Sequence, residues 1–196
     1  MHFLELLQRW NTVYNLTAVR DAKQMRVLHL FDCLAIVEPL RRQLGPLAGK
    51  RLLDVGSGAG LPGVVLGIIE PDLQVVCVDA VGKKAAFVRQ AAAELALSNV
   101  QSRHARVEVL DEAPFGIIVS RAFSALPLFV RPTRRLLAKQ GVWMAMKGRP
   151  PVAEIAGLPS DVQAFHVELL SVPGLEAERS LIWLRPLQAA DAAETR

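Results

Sequence analysis

Asp54 stands two residues ahead of three alternating glycines in Arg51-Leu-Leu-Asp54-Val-Gly56-Ser-Gly58-Ala-Gly60-Leu61-Pro62-Gly63. Glycines packed this closely let a backbone adopt positive φ and approach a ligand to contact distance. The apolar run Leu52 to Val55 ahead of them predicts a buried parallel strand. Pro62 opens an apolar helix running through Ile69, a position where its missing N–H costs nothing. A strand, a glycine turn and a helix in that order predict a nucleotide-like cofactor site at the carboxyl end of the first strand.

Which cofactor is a separate question. Gly58, Gly60 and Gly63 fit the dinucleotide pattern G-x-G-x-x-G, a weak signal alone, and a purely structural turn is the plainer alternative. The register of Asp54, Gly56, Gly58 and Gly60 is more telling. An acid there suits a cationic amino-acid group and repels a pyrophosphate. The stretch resembles the first signature of class I methyltransferases, which bind S-adenosylmethionine.

Further along, Asp79 ends a second apolar strand, Leu73 to Val78. It is placed to accept both ribose hydroxyls of an adenosine, with Ala80 beside it; a surface acid at a strand end is the alternative. Val107 and Glu108 would flank the adenine. Arg121 closes the apolar strand Phe115 to Ser120, so its charge must face something polar. A cofactor carboxylate or a phosphate suits its planar fork; a salt bridge to Glu108 or Asp54 is the other reading. Ligands of open α/β sheets bind outside the carboxyl ends of the strands. The residues expected there are Asp54 to Leu61, Asp79 and Ala80, Val107 and Glu108, Ser120 and Arg121, and Lys147 and Gly148.

The remaining chain supplies the elements to hold them. Apolar residues at Phe3, Leu6, Leu7, Trp10, Val13 and Tyr14 predict a helix over His2 to Tyr14. Asp21 and Gln24 read as a capping box opening a second helix towards Leu40, on which His29 and Asp32 share a face. Further helices are predicted at Lys83 to Leu97 and Leu126 to Ala138. Short strands are predicted at Val100 to Arg103, Val142 to Met146, Gln163 to Leu170 and Leu181 to Leu187. The fold class is α/β, a Rossmann-like, mostly parallel sheet with an antiparallel edge strand and helices on both faces. Residues 1–187 form one domain, comprising a helical appendage over 1–48 and a sheet core over 49–187. The tail, 188–196, has no periodicity and reads as disordered.

Composition narrows the class. A chain of 196 residues, 52% apolar and carrying a net charge of +4, is long enough for one real core. No run approaches the ~20 apolar residues of a bilayer span, and the N-terminus lacks a cleavage site, so neither a membrane anchor nor a signal peptide is expected. Two cysteines, Cys33 and Cys77, make no framework and suit thiols in a reducing cytoplasm. The modest positive charge suits a polyanion without requiring one. No metal set is evident, and nothing suggests an obligate dimer, so a monomer is expected.

Absences count as well. No Asn/Asp-Pro-Pro-aromatic segment follows the fourth strand, which argues against methylation of an exocyclic amine. Neither cysteine sits in a loop beside proline, which argues against covalent attack on a pyrimidine. An NAD(P)-binding oxidoreductase would need a pair such as Tyr-x-x-x-Lys, and the sole tyrosine, Tyr14, lies in the appendage. A non-catalytic RNA-binding assembly factor is the second alternative. A site without nucleophile or base still serves a target with its own lone pair, such as guanine N7. Positioning and charge stabilisation then suffice.

A family resemblance runs through the whole chain. Trp10-Asn-Thr-Val-Tyr14-Asn-Leu-Thr17, His29-Leu-Phe-Asp32, the segment from Asp54 to Gly63, Gly82-Lys-Lys84 with Phe87, Arg106-Val-Glu108, Ser120-Arg-Ala-Phe123, Lys147-Gly148 and Glu178-Arg179 occur in order. Together they resemble the bacterial small-subunit rRNA guanine-N7 methyltransferases, also called the glucose-inhibited division protein B family. The resemblance implies methyl transfer from S-adenosylmethionine to a guanine in a hairpin near the decoding site, on rRNA or the 30S particle. It implies cofactor contacts at Gly56, Leu61, Asp79, Ala80, Val107, Glu108 and Arg121. A splayed loop base is the reachable target, because the major groove of A-form RNA is deep and narrow. Phe123 is a candidate to stack on that base. Lys147, Arg149, Arg131, Arg134 and Arg135 are candidates for phosphates, with solvated helix charges the default for the last three. Two positions depart from the family: Cys33, where serine is common, and Ser180 after Arg179, where histidine is more usual.

Overall fold

The structure, a computed structural model, describes residues 2–121 and 124–187. The expectation of a disordered tail over 188–196 therefore lies outside the described residues, as does the position of Phe123.

Seven strands form one sheet: β1 (Arg51–Val55), β2 (Gln74–Asp79), β3 (Val100–His104), β4 (Phe115–Arg121), β5 (Leu137–Lys147), β6 (Val162–Leu169) and β7 (Ser180–Pro186). Their order is β3-β2-β1-β4-β5-β7-β6. The first five are mutually parallel, while β7 runs antiparallel to both β5 and β6. The reversed strand is thus next to last, and β6 forms the edge. Strand order turns around at β1 and β4, which opens a crevice at their carboxyl ends.

The inner parallel strands β1, β2 and β4 are buried on both faces and read as apolar runs for that reason, whereas the edge strand β3 is polar and only partly buried. In β1, Leu52 joins one core and Leu53 the other, and Ile117 and Ile118 in β4 do the same. Helices α1 (His2–Tyr14), α5 (Gly63–Ile69) and α6 (Gly82–Glu94) cover one face, and α7 (Leu126–Thr133) covers the other.

The expected second helix is not uniform. It comprises α2 (Ala22–Met25), a π-helical turn over Arg26–Phe31, and α3 (Asp32–Leu34); after a break, α4 (Val37–Leu44) follows. Asp21 caps its start, its side chain accepting from the Gln24 amide at 2.8 Å. The predicted helix Leu126 to Ala138 is also shorter. The hydroxyl of Thr133 bonds back to the carbonyls of Phe129 and Val130, at 2.6 and 3.1 Å, and receives the indole N–H of Trp143 at 2.9 Å. A single 3-10 turn over Arg134–Leu136 then leads into β5, which starts five residues ahead of the expected Val142 and shifts register on the way. Helix α8 (Val152–Ala156) was not anticipated.

Asn99 fixes the junction that aims β2. Its side-chain amide is buried and donates to the carbonyls of Gly67 at 3.0 Å, Glu70 at 3.2 Å and Leu73 at 3.0 Å, at the end of α5 and the approach to β2. Buried carbonyls without donors cost roughly 1–3 kcal/mol each. Asn99→Ala is predicted to lower unfolding free energy by about 2–3 kcal/mol in a urea titration, and a change below about 0.5 kcal/mol would contradict this role.

Candidate active site

The turn after β1 is built on Asp54. Its carboxylate has no exposure, and Oδ2 accepts the Gly63 amide at 2.8 Å at the start of α5. Glycine is required at 63: a Cβ would lie 2.6 Å from Cys77 Sγ and 2.8 Å from Asp54 Oδ2. The turn between them passes through positive φ at Gly56, Gly58 and Gly60. The outer and inner sides of that turn differ. A Cβ on Gly58 would have nothing nearer than the Gly56 carbonyl at 4.0 Å, so the backbone there is open to a ligand, whereas one on Gly60 would strike Val64 Cγ2 at 2.3 Å.

Two cavities meet at Gly56 on the carboxyl edge of the sheet. The smaller, about 170 Å³, is lined by Val55, Val78, Asp79, Ala80, Ala105, Arg106, Val107 and Glu108. The larger, about 570 Å³, is lined by Ser57, Gly58, Ala59 and Leu61 on one side and by Arg121, Met146, Lys147 and Gly148 across it; Leu16, Thr17, Leu28, His29 and Asp32 of the appendage form its far wall. Lys84 and Arg179 complete that lining. Asp79 links the two, because Oδ2 accepts from the Gly58 amide and Oδ1 from the Val81 amide, at 2.9 and 2.8 Å.

Most of the expected site residues thus gather at one place. Gly56 lies in both cavities, Gly58, Leu61, Arg121 and Lys147 in the larger, and Asp79, Ala80, Val107 and Glu108 in the smaller. Asp54 and Gly60 line neither; they sit beneath the turn and set its shape. Arg121 pairs with neither Glu108 nor Asp54. It donates to the Leu28 carbonyl at 2.7 Å and to Asp32 Oδ2 at 3.2 Å, while Arg179 donates to Asp32 Oδ1 at 2.9 Å. Asp32 is therefore no surface acid but a buried carboxylate between two guanidinium groups.

The π turn makes this docking possible. The Asp32 amide bonds to Val27 O, one residue further back than in an α-helix. The Leu28 carbonyl, which would hold that amide in an α-helix, instead accepts from Arg121. Such wide turns recur at functional sites.

Four of the five other basic candidates are already engaged. Lys147 Nζ donates to Ser124 O at 2.7 Å and to Glu154 at 2.8 Å, and Glu154 in turn caps the Leu126 amide at 2.7 Å. Arg135 is not a solvated helix charge, since it donates to the carbonyls of Val107, Glu108 and Leu110 and shapes the wall of the smaller cavity. Arg134 pairs with Asp161, and Arg149 with Glu178. Reading the sequence missed the cavity roles of Leu16, Thr17, Leu28, Lys84, Met146 and Arg179. Thr17, Lys84 and Arg179 fell inside family segments, which was the available signal.

Burial pushes the carboxyl of Asp54 up to about 7, against the opposing pull of the Gly63 amide and Arg121. Burial foremost, and then Arg121, lower the pKa of His29, which is neutral at pH 7. The imidazole meets Thr17 Oγ1 at 2.9 Å.

A doubly wound sheet with this strand order and a glycine cradle at its switch point defines the class I methyltransferase fold. Solved structures agree: TrmN from Thermus thermophilus aligns with TM-score 0.61 at 22% identity, over 79% of this chain and 48% of that one. Magnesium protoporphyrin IX methyltransferase from Synechocystis, solved with S-adenosylmethionine bound, aligns with TM-score 0.66 at 14% identity over 94% and 98%. Residues 1–182 match the family described as rRNA small subunit methyltransferase G. Relatives of that name from Leptothrix cholodnii and Verminephrobacter eiseniae are each 58% identical, over 97% of this chain and 87% and 86% of theirs. The chain belongs to the rRNA small subunit methyltransferase G family and is an S-adenosylmethionine-dependent enzyme.

The raised carboxyl of Asp54 carries a signed prediction. A group that binds its proton more tightly when folded makes stability fall as pH rises between its two pKa values. With the folded value about 7 against 3.8, the parent should lose about 2 kcal/mol between pH 5 and 7 relative to Asp54→Asn. Equal pH slopes in paired urea titrations would contradict it.

Proposed function

We propose that this chain methylates N7 of a guanine in small-subunit rRNA, and that the donor lies across the two cavities joined at Gly56. The junction itself carries the reading: a hollow ending in Asp79 meets a larger chamber at an open glycine backbone, which suits a nucleoside joined to an amino acid. The fit rests on the empty space over Gly58 and on the spare lone pairs of Asp79, each of whose oxygens holds only one amide.

When bound, S-adenosylmethionine supplies a methyl group on a cationic sulfur, and guanine N7 accepts it without losing a proton. No general base is needed, because N7 attacks through its own lone pair and carries no proton. Asp79 is the acceptor for ribose hydroxyls, while Ala80, Val107 and Glu108 bound the adenine. Arg121 retains guanidinium donors beyond those given to Leu28 and Asp32, and these serve the amino-acid carboxylate. Asp54 and Gly60 keep the turn in shape beneath the ligand. Asp32, neutralised by Arg121 and Arg179, holds those two guanidinium groups at the chamber wall. Lys147 and Arg149 lie towards the RNA, where phosphates compete with Glu154 and Glu178.

We also take residues 2–187 to act as one unit, since ion pairs from Asp32, Arg41 and Arg42 tie the appendage to the sheet domain. Among the described residues no helix is long and apolar enough to cross a membrane. A monomeric, metal-free enzyme of the cytoplasm completes the reading, and two buried free thiols suit that reducing compartment.

Titration calorimetry is expected to detect S-adenosylmethionine and not NADH, with Arg121→Ala weakening donor affinity at least tenfold. Mass mapping of rRNA from cells with and without the gene should differ by one methyl group on one guanine. Unchanged affinity in Arg121→Ala would remove its assigned role, and identical rRNA masses would defeat the proposed substrate.

A further inference from the structure

The donor reading leaves one wall of the larger cavity without a task. Leu16, Thr17, Leu28 and His29 face the glycine turn from the appendage. Four observations set this wall apart from ordinary helix packing. Asn11, itself buried, holds the loop that carries Thr17: its Oδ1 accepts the Thr17 amide at 2.9 Å, and its Nδ2 donates to the Val19 carbonyl at 3.3 Å. His29 sits at the π turn, a costly distortion that brings its ring and the Leu28 side chain to the same chamber. The ring is neutral, so it adds no charge beside a cationic ligand. The wall is also mixed, two leucines around one hydroxyl–imidazole pair, the composition of a small-molecule site rather than of a phosphate track.

The hydrogen bonds of Thr17 are not exhausted. Its oxygen accepts from the Val19 amide at 3.2 Å and shares a second bond with His29 Nε2 at 2.9 Å. A hydroxyl has one proton and two lone pairs. If Thr17 donates to His29, a lone pair stays free; if it accepts from His29, its proton stays free. A free lone pair suits guanine N1–H or its amino group, and a free proton suits guanine O6. Either tautomer leaves Thr17 able to read a guanine edge, with Leu16 and Leu28 as apolar neighbours.

We infer that Leu16, Thr17, Leu28 and His29 form the seat of the acceptor base, where Thr17, set by His29, distinguishes guanine. This rests on the proposed methyl transfer and adds the residues that hold the target nucleobase.

The test separates base contacts from backbone contacts by leaving the base out. Two rRNA hairpins are compared in fluorescence anisotropy with S-adenosylhomocysteine present. One carries 7-deazaguanine, which cannot accept the methyl, at the guanine found by mass mapping; the other is abasic there. The parent should prefer the base-bearing hairpin at least tenfold. Thr17→Val should reduce that preference to twofold or less and Thr17→Ser should retain it, with calorimetric affinity for S-adenosylhomocysteine unchanged in both. Leu28→Ala, which removes a half-buried side chain from the same wall, should likewise lower the preference. It provides the second arm if Thr17→Val fails to fold by circular dichroism.

An undiminished preference in Thr17→Val, or in Leu28→Ala where that arm is used, would overturn the inference, as would a loss of cofactor affinity in either variant. Failure of the parent to bind cofactor would instead defeat the underlying reading, a result visible before any RNA is added.

Discussion

One buried hydrogen bond, from the Gly63 amide to Asp54 Oδ2, sets the shape on which the site depends. It ties the end of β1 to the first residue of α5 and closes the intervening residues into a loop of positive-φ glycines. The cost is a carboxyl group denied water, with Oδ1 lacking a hydrogen-bond partner and its proton affinity raised accordingly. Such an expense buried under a loop makes sense where the outer face of that loop must stay clear, and the empty space above Gly58 is that face. Asp79 acts from the other side. Its two oxygens draw in the Gly58 and Val81 amides, so that the ends of β1 and β2 form one continuous rim.

A second carboxylate does for the appendage what Asp54 does for the turn. Asp32 is buried between Arg121 from β4 and Arg179 just before β7. Removing a partner from a buried ion pair costs several kcal/mol, because it strands the remaining charge. The helices ahead of the sheet are therefore held in register with the crevice and supply a wall of the larger cavity. The link between Arg42 and Glu168 fastens α4 to β6, with Glu168 also held by the indole of Trp183. Sheet, hairpin and appendage share one chamber.

The parts legible in the sequence were those governed by local rules. Parallel strands buried on both faces must be apolar throughout, and short runs such as Leu52 to Val55 and Phe115 to Ser120 announced themselves. The glycine turn was equally plain, since few other residues tolerate its backbone. Asp79, Ala80, Val107 and Glu108 followed, because ligands gather at strand ends. Less legible were choices made across long separations. Arg121 finds its carboxylate 89 residues earlier in the chain and Arg179 finds the same one 147 residues earlier. Nothing local distinguishes Asp32 from an exposed helix acid. The π turn was invisible for a related reason: it goes with the distant bond from Arg121 to the Leu28 carbonyl, while Arg26 to Phe31 has the composition of an ordinary helix. Lys147 was read as free for phosphate because Glu154 lies on a helix with no periodic signature of its own.

The central claim is that one ligand spans the two cavities through the gap over Gly56 and Gly58. A crystal structure with S-adenosylhomocysteine tests it most directly. Adenine is expected between Ala80 and Val107, ribose hydroxyls on Asp79, and the amino-acid carboxylate on Arg121. A ligand bound elsewhere, or a nucleoside lodged against Thr17 and His29 with the Asp79 hollow left to solvent, would contradict it.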